Sequence, residues 1–355
     1  MIDLSCELFS GKYLPPHWAS KEVDIEIYRP AVNHICPGME LVGQLTRSTN
    51  TVSFILRDEN KLYVCQFAPP QSTQFSQFEE RNNPRKFLRA KERMDYLIKN
   101  GIQVPTIVND GTITIQDKAR GFIVMNFVEG ISADRFLAKN PHESKKIYFK
   151  FGEILAQLSN LKTQEVLDTT SFDNILGKVN HSAKYICDKG VITAQQVDKL
   201  IKLVKQRLIK MGNVPLSYVH LDPFPTNIHI SFAAENENPI LTLMDIEAIQ
   251  LGHPVIEGFG RAIMTGIYDW NYIIGGNSDD ISGNLKAFVD GYSKILPIDN
   301  NFKEIGLLMK TCRLIHLPQS IMYELKRDIT IFEADAGSFD WSSSTLRDLI
   351  ENSDI

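Results

Sequence analysis

Two short apolar runs, Ser217-Tyr-Val-His and Leu241-Thr-Leu-Met, each end at a cluster of polar residues, and this constrains the fold more than any other feature. The first leads into His220, Asp222 and Asn227 in the pattern His-x-Asp-x4-Asn. The second leads into Asp245 and Glu247, as Asp-x-Glu. A side chain placed directly after a short strand leaves a rigid element and enters a cleft. Two carboxylates and a carboxamide are hard oxygen donors, the kind that Mg²⁺ takes when it carries nucleotide phosphates. With such donors on the ion, Asp222 remains to orient an attacking hydroxyl or to accept its proton.

The texture of the chain changes along its length. Residues 1–38 hold Pro15, Pro16, Pro30 and Pro37 with little periodicity, and read as an N-terminal arm with one short helix at most. Thr51-Val-Ser-Phe-Ile-Leu-Arg and Lys61-Leu-Tyr-Val-Cys-Gln-Phe alternate in polarity and are joined by Asp58-Glu-Asn-Lys, which predicts a β-hairpin. A helix over Phe87–Asn100 and two strands near Thr112 and Phe122 complete a small sheet domain over residues 39–128. Residues 129–355 are mainly helical, with apolar positions at a 3.6-residue spacing in Tyr148–Leu161 and again in Ala194–Met211. The fold class is therefore α+β, a β-rich lobe followed by a larger α-rich one.

Composition narrows the class of function. The 355 residues are 43% apolar and 23% charged, the balance of a globular protein, and the net charge of −5 gives no bulk attraction to nucleic acid or anionic membrane. The most basic stretch, Arg81 to Arg93, also carries Glu92 and reads as a solvated helix face. Five scattered cysteines without a Cys-x-x-Cys pair suggest neither a disulfide framework nor a thiolate zinc site. With no secretory start and no apolar run of bilayer length, the chain is expected to be cytoplasmic.

The spacing of His220, Asp222 and Asn227, with Asp245-x-Glu247 eighteen residues after the Asn, resembles the catalytic and metal loops of the aminoglycoside phosphotransferase and choline kinase family. Further elements follow in the family's order. Pro225 stands two before the Asn, Gly252-x-Pro254 follows the metal loop with Glu257 in place of an Asp, and Phe288-Val-Asp-Gly-Tyr292 lies downstream. In the first lobe, Asn50 to Pro70 and Gly101-Ile-Gln-Val-Pro105 match, and Gly152-x-x-Leu-Ala156 resembles the start of the long helix of the second lobe. The resemblance spans roughly residues 40 to 295. It implies a bilobal protein-kinase-like fold with Mg·ATP between the lobes. Asp222 would be the catalytic base or the group that orients the hydroxyl, and Asn227 and Asp245 the Mg²⁺ ligands. Glu247 would support from behind, and His220 would hold the loop. Adenine would meet the backbone of Met125 to Val128, and Ser48, Asn50 and Gln66 would line the phosphates.

One position departs from the pattern. The third strand of the family carries a Lys that grips phosphate, and here Gln66 occupies it, with no Lys or Arg between Lys61 and Arg81. Charge-assisted hydrogen bonds are about twice as strong as neutral ones, so the substitution should weaken nucleotide binding. Arg47, on the preceding loop, is a candidate to replace the charge. Two rival readings follow: a pseudokinase that binds without turnover, and a metal-dependent hydrolase using His220, Asp222 and His229. The acceptor would be a hydroxyl of a small molecule or of a peptide Ser or Thr, met by helices after Glu257. There, Tyr268-Asp-Trp-Asn-Tyr272 has the composition to hold a cationic amine or to pack in a core.

Overall fold

Alternating strands with one buried face need a cover, and the N-terminal helix supplies it. In the computed structural model, which describes residues 23–45, 51–68, 87, 89–167, 169–211, 214–232, 238–269, 278–297, 302–326 and 336–353, two compact units form. One comprises Met1–Ala133 with Ile228–Glu247, the other Asp134–Asn227 with Ala248–Ile355.

The N-terminal unit is built on a five-stranded antiparallel sheet of order β1-β2-β3-β5-β4. Its strands are β1 (Glu40–Leu45), β2 (Val52–Asp58), β3 (Lys61–Phe67), β4 (Ile107–Ile115) and β5 (Lys118–Asn126). Side chains alternate between faces along a strand. Val52, Phe54 and Leu56 of β2, Cys65 and Phe67 of β3, and Phe122 and Val124 of β5 therefore share a face. Helix α1 (Ile25–Ile35) lays Tyr28, Ala31 and Val32 onto it, followed by Cys36 at its end. These α1 positions lie three and four apart, on one stripe of the helix. The Asp24 side chain caps its start by accepting from the Glu26 N–H at 3.0 Å. The Tyr28 ring packs against Phe54 and Phe67 with centroids 5.1 and 5.4 Å away.

Arg120 of β5 lies in this core at 4% exposure, its Nη1 donating to Tyr28 Oη at 3.0 Å with the guanidinium 5.5 Å from the ring centroid. Burial pushes the Tyr28 phenol up, against the pull of Arg120. A buried charge that loses an acceptor keeps its desolvation cost. Tyr28→Phe, which removes one oxygen and leaves the packing, is therefore expected to destabilise the unit by about 2 kcal/mol. Urea unfolding of the two proteins measures this difference.

Helix α2 (Ala90–Lys99) follows β3 in sequence; its Lys91 N–H donates to Asp110 Oδ2 at 3.1 Å, and Lys91 Nζ donates to the Ile107 carbonyl at 3.2 Å. Strands β6 (Ile131–Ser132), β9 (Ile228–Ser231) and β10 (Ile240–Leu243) form a second small sheet in the same unit. Gly130 enters it with φ +125°, where an added Cβ would lie 2.4 Å from the Ile230 carbonyl oxygen.

The C-terminal unit is mainly helical: α3 (Ala133–Lys139, its first residue still in the other unit), α4 (Ser144–Asn160), α5 (Thr169–Asp188), α6 (Ala194–Met211), α7 (Ser278–Ile295), α8 (Phe302–Lys326) and α9 (Ala336–Glu351). A small sheet joins β7 (Lys162–Leu167), β8 (Val214–His220) and β11 (Ile249–Gly252). Helices α4 and α7 meet at two glycines. An added Cβ on Gly152 would fall 2.2 Å from the Phe288 carbonyl oxygen, and one on Gly291 would fall 2.0 Å from that of Phe149. Phe151, Phe259, Phe288 and Tyr292 close the core around this contact. On the side of α4, Glu153 pairs with Lys150 at 2.6 Å and with Lys294 at 2.5 Å.

After β11 the chain winds into two π-helical segments, Pro254–Gly260 and Ala262–Asp269, a wide helix that seldom exceeds one turn elsewhere. His253 starts the first: its Nδ1 accepts from the N–H groups of Val255 and Ile256, and its N–H donates to Glu257 Oε2. His316 of α8 lies buried beside it, with Nε2 3.4 Å from the Ile256 carbonyl. Gly260 packs directly on Cys312 Sγ. Among the described residues Cys36, Cys65, Cys187 and Cys312 are all free thiols, and all but Cys187 are buried.

Candidate active site

The first candidate loop leaves β8 at His220, in the C-terminal unit. His220 pairs with Ile249 of β11, is 1% exposed, and uses Nδ1 to accept the Asp222 N–H at 3.2 Å. The ring thus braces the backbone of Asp222 while the carboxylate stays exposed. The Leu221 N–H donates to the Ala248 carbonyl at 2.8 Å, and a short 3₁₀ turn, Pro225–Asn227, brings the carboxamide back. Asn227 Nδ2 then donates to the Asp222 carbonyl and to Asp222 Oδ2, each at 2.9 Å. One amide nitrogen thereby fixes the direction of the carboxylate, and the other end of the side chain, Oδ1, is left as a donor atom for a cation.

A residue that the sequence did not single out supports this loop. Gly266 of the second π-segment lies so close that a Cβ there would stand 2.8 Å from the Pro223 carbonyl oxygen, and its own carbonyl accepts from Tyr148 Oη at 2.8 Å. The tyrosine of α4 thus pins the segment beside Asp222. Two residues on, Tyr268 has the Arg313 guanidinium 4.8 Å from its ring centroid. That cation already occupies a face of the ring that was a candidate for an acceptor amine; Trp270 to Tyr272 lie outside the described residues.

The second loop belongs to the N-terminal unit. Asp245 follows β10 with φ +49°, the left-handed region that costs a residue with a Cβ about 1–2 kcal/mol. Non-glycine residues in this conformation cluster at functional sites, where neighbours hold them. Two hydrogen bonds bracket it. The Leu243 N–H donates to the Gln103 carbonyl at 2.9 Å, and the Ile246 carbonyl accepts from Arg93 Nη2 at 3.1 Å. Glu247 lies in the 3₁₀ turn that follows and, like Asp245, is half-buried.

The sheet of the same unit presents a second face, opposite the one that α1 covers. Register places Ser53, Gln66 and Ile123 side by side on β2, β3 and β5, with Ile55, Val64 and Met125 in the next row. Thr51 Oγ1 and Ser53 Oγ are 3.1 Å apart, so hydroxyls and a carboxamide form a polar end and aliphatic side chains an apolar one. Beyond Met125, the N–H groups of Asn126 and Phe127 donate to Thr106 and Leu62. Among the described residues nothing accepts from the N–H of Val128. Arg47, Ser48 and Asn50 lie outside the described residues.

Each loop, taken by itself, offers a donor of the kind that Mg²⁺ takes. Asn227 Oδ1 in the C-terminal unit and the half-buried Asp245 carboxylate in the N-terminal unit are hard oxygens, and this ion is commonly held by one or two protein oxygens together with phosphates. Among the described residues no group of three His, Cys, Asp or Glu side chains converges as a zinc cage would require. His229 instead sits on β9, in register with Thr242 and Ser132. Among the described residues no helix is long and apolar enough to cross a membrane.

No protein-family model matches the chain, and no curated protein matches its sequence. Solved structures share its fold. A microcompartment-associated aminopropanol kinase superposes with a TM-score of 0.60 at 15% identity, over 92% of this chain and 95% of that one. The GDP complex of wild-type aminoglycoside 2'-phosphotransferase-IIIa gives a TM-score of 0.56 at 12% identity, covering 92% and 98%. A thermostable mutant of aminoglycoside phosphotransferase APH(4)-Ia, in ternary complex with AMP-PNP and hygromycin B, gives 0.56 at 8% identity, covering 90% and 96%. The chain has the bilobal, kinase-like α+β fold of these proteins, as the motif order implied.

Proposed function

We propose that the protein is a cytoplasmic phosphotransferase that moves the γ-phosphoryl group of Mg·ATP to a hydroxyl of a small molecule or a peptide. The observation that carries this reading is the Asp222–Asn227 pair. A carboxylate held at 2.9 Å by an amide nitrogen has a fixed direction, as a group that must receive one particular hydroxyl needs. Residues 39–128 hold the nucleotide, with adenine against Ile55, Val64 and Met125 and bonded to the Val128 N–H. Asn227 and Asp245 hold the Mg²⁺, which neutralises charge on the phosphates. Residues 129–355 supply the catalytic loop and the acceptor wall. Support comes from the fold itself: its neighbours include complexes with GDP and AMP-PNP, and kinases of aminopropanol and aminoglycosides.

Transfer between aligned oxygens depends mainly on positioning and charge stabilisation. Removal of the Asp222 carboxylate is expected to lower turnover by about 10²–10⁴-fold, the range for a positioned acid–base group, while nucleotide affinity stays unchanged. Asp222→Ala, assayed for phosphoryl transfer and by calorimetric titration with Mg·ATP, tests this division of roles. Equal loss of both would sink it.

The specific observation behind a second reading is Gln66. It carries no charge, and its neighbours Ser53 and Ile123 bring none. A pseudokinase would keep the fold and lose tight binding of ATP. Titration of ATP with Mg²⁺ into the wild type and Asp245→Ala separates the two: binding that needs both favours the kinase, and no millimolar binding favours the pseudokinase.

A further inference from the structure

In the N-terminal unit, helix α2 and the loop after it make both hydrogen bonds that bracket Asp245. The Gln103 carbonyl takes the Leu243 N–H, and Arg93 reaches the Ile246 carbonyl from 153 residues away in sequence. Between these two fixed points lie only Met244 and Asp245, and Asp245 is the residue with the left-handed backbone. A strained conformation persists only where its surroundings over-determine it. Its acidic neighbour on the helix, Glu92, is exposed, and β3 offers Gln66 instead of a lysine that a helix acid could meet. The cation that ties α2 to the site is on the helix itself, and what it holds is a backbone carbonyl.

We infer that Arg93 is a positioning residue for the metal ligand Asp245: through the Ile246 carbonyl it keeps the Asp245 backbone left-handed and so aims the carboxylate before any ligand binds. The Mg²⁺ part of this inference rests on the kinase reading above; the backbone part does not. Arg93 itself contacts neither metal nor phosphate in this scheme. A lysine has the charge but less reach and only a point-like donor, so it should replace the arginine in part.

The experiment compares wild type, Arg93→Ala and Arg93→Lys in two measurements. Hydrogen exchange of the metal-free, nucleotide-free protein should show amides 245–248 exchanging about tenfold faster in Arg93→Ala, with Arg93→Lys intermediate and β2, β3 and β5 unchanged. Calorimetric titration should show an affinity for ATP without Mg²⁺ that all three share, and a Mg²⁺ requirement raised about tenfold in Arg93→Ala. In an Asp245→Gly background, where the left-handed backbone carries no Cβ penalty, the effect of Arg93→Ala on exchange should shrink. Unchanged exchange at 245–248, or acceleration spread through the whole unit, overturns the inference. Equal loss of ATP affinity with and without Mg²⁺ also overturns it, since Arg93 would then be a nucleotide contact or a general stabiliser. If the wild type binds no nucleotide, the kinase reading fails, and exchange alone still decides whether Arg93 holds the loop.

Discussion

Replacing Gly152 by alanine is expected to destabilise the C-terminal unit by about 3 kcal/mol or more, the upper end for overpacking a well-filled core. The new Cβ would meet backbone atoms, the Phe288 carbonyl oxygen at 2.2 Å and the Tyr292 nitrogen at 2.7 Å, and no side-chain rotation can relieve that. Helices α4 and α7 would have to separate, loosening the Phe151–Phe288 contact as well. Gly291→Ala makes the same clash from the other helix, against Phe149. Because both push the same pair apart, the double variant should lose less than the sum of the singles. Thermal unfolding measures this, and a drop of roughly 6–12 °C corresponds to such a loss in a unit of this size. Gly177→Ala is the control. It lies in helix α5 with nothing within 4 Å of the added carbon, and should stabilise by about 0.5–1 kcal/mol. A Gly152→Ala protein as stable as the wild type would show that α4 and α7 do not pack this closely.

Acid should destabilise the protein progressively below pH 6.5, through two buried histidines. Burial lowers the His253 pKa to about 4; burial, with the charge of Arg261 adding to it, lowers that of His316 to about 3. Both rings are therefore neutral in the folded state and become protonated near pH 6.5 once unfolded. Over that window the unfolded chain binds more protons, so stability is complete above pH 6.5 and falls as the pH drops towards the folded-state values. Each histidine contributes about 1.4 kcal/mol per pH unit in this range, so by pH 4 the pair removes about 6 kcal/mol, a large part of an ordinary domain's stability. The melting temperature measured from pH 7.5 to pH 4.5 follows this directly. His253→Asn keeps a capping side chain at the start of the π-segment without a titrating ring, and with His316→Gln it should flatten the profile. A wild type equally stable at both ends of that range would contradict the burial of these rings.

How much of this was legible beforehand depended on whether the cause was local. The hairpin of β2 and β3 was written in alternation and a turn sequence, and spacing singled out Asp222 and Asn227, which share a hydrogen bond in the structure. The contact between Gly152 and Gly291 was visible only as two short motifs; that they face one another is a matter of tertiary packing. The arm's one short helix is α1; Pro30 obscured its extent, because a proline in a helix removes a hydrogen bond, yet it stands on the exposed side, where the loss is tolerable. The stretch from about Glu257 read as helical, and the segments there are helical, but their π-winding was not legible locally; Gly260 packs on Cys312 and Gly266 on Pro223, contacts distant in sequence. Arg93 was read as the end of a solvated basic face. It turns inward to a carbonyl in another part of the chain, and no local pattern encodes that.

The buried thiols give each unit its own clock. Cys36 and Cys65 sit in the α1–sheet core, and Cys312 sits under Gly260 in the other unit. Burial pushes Cys36 up to about 11, Cys65 well above an ordinary thiol, and Cys312 up to about 12. The thiolate is the form that attacks an alkylating reagent, so these sulfurs stay silent until their surroundings open. Cys187 is only half-buried and stays open to the reagent. Among the described thiols, added label should therefore mark it first, and the later arrival of label at Cys65 and at Cys312 would time the opening of the two units separately, in one unmodified protein.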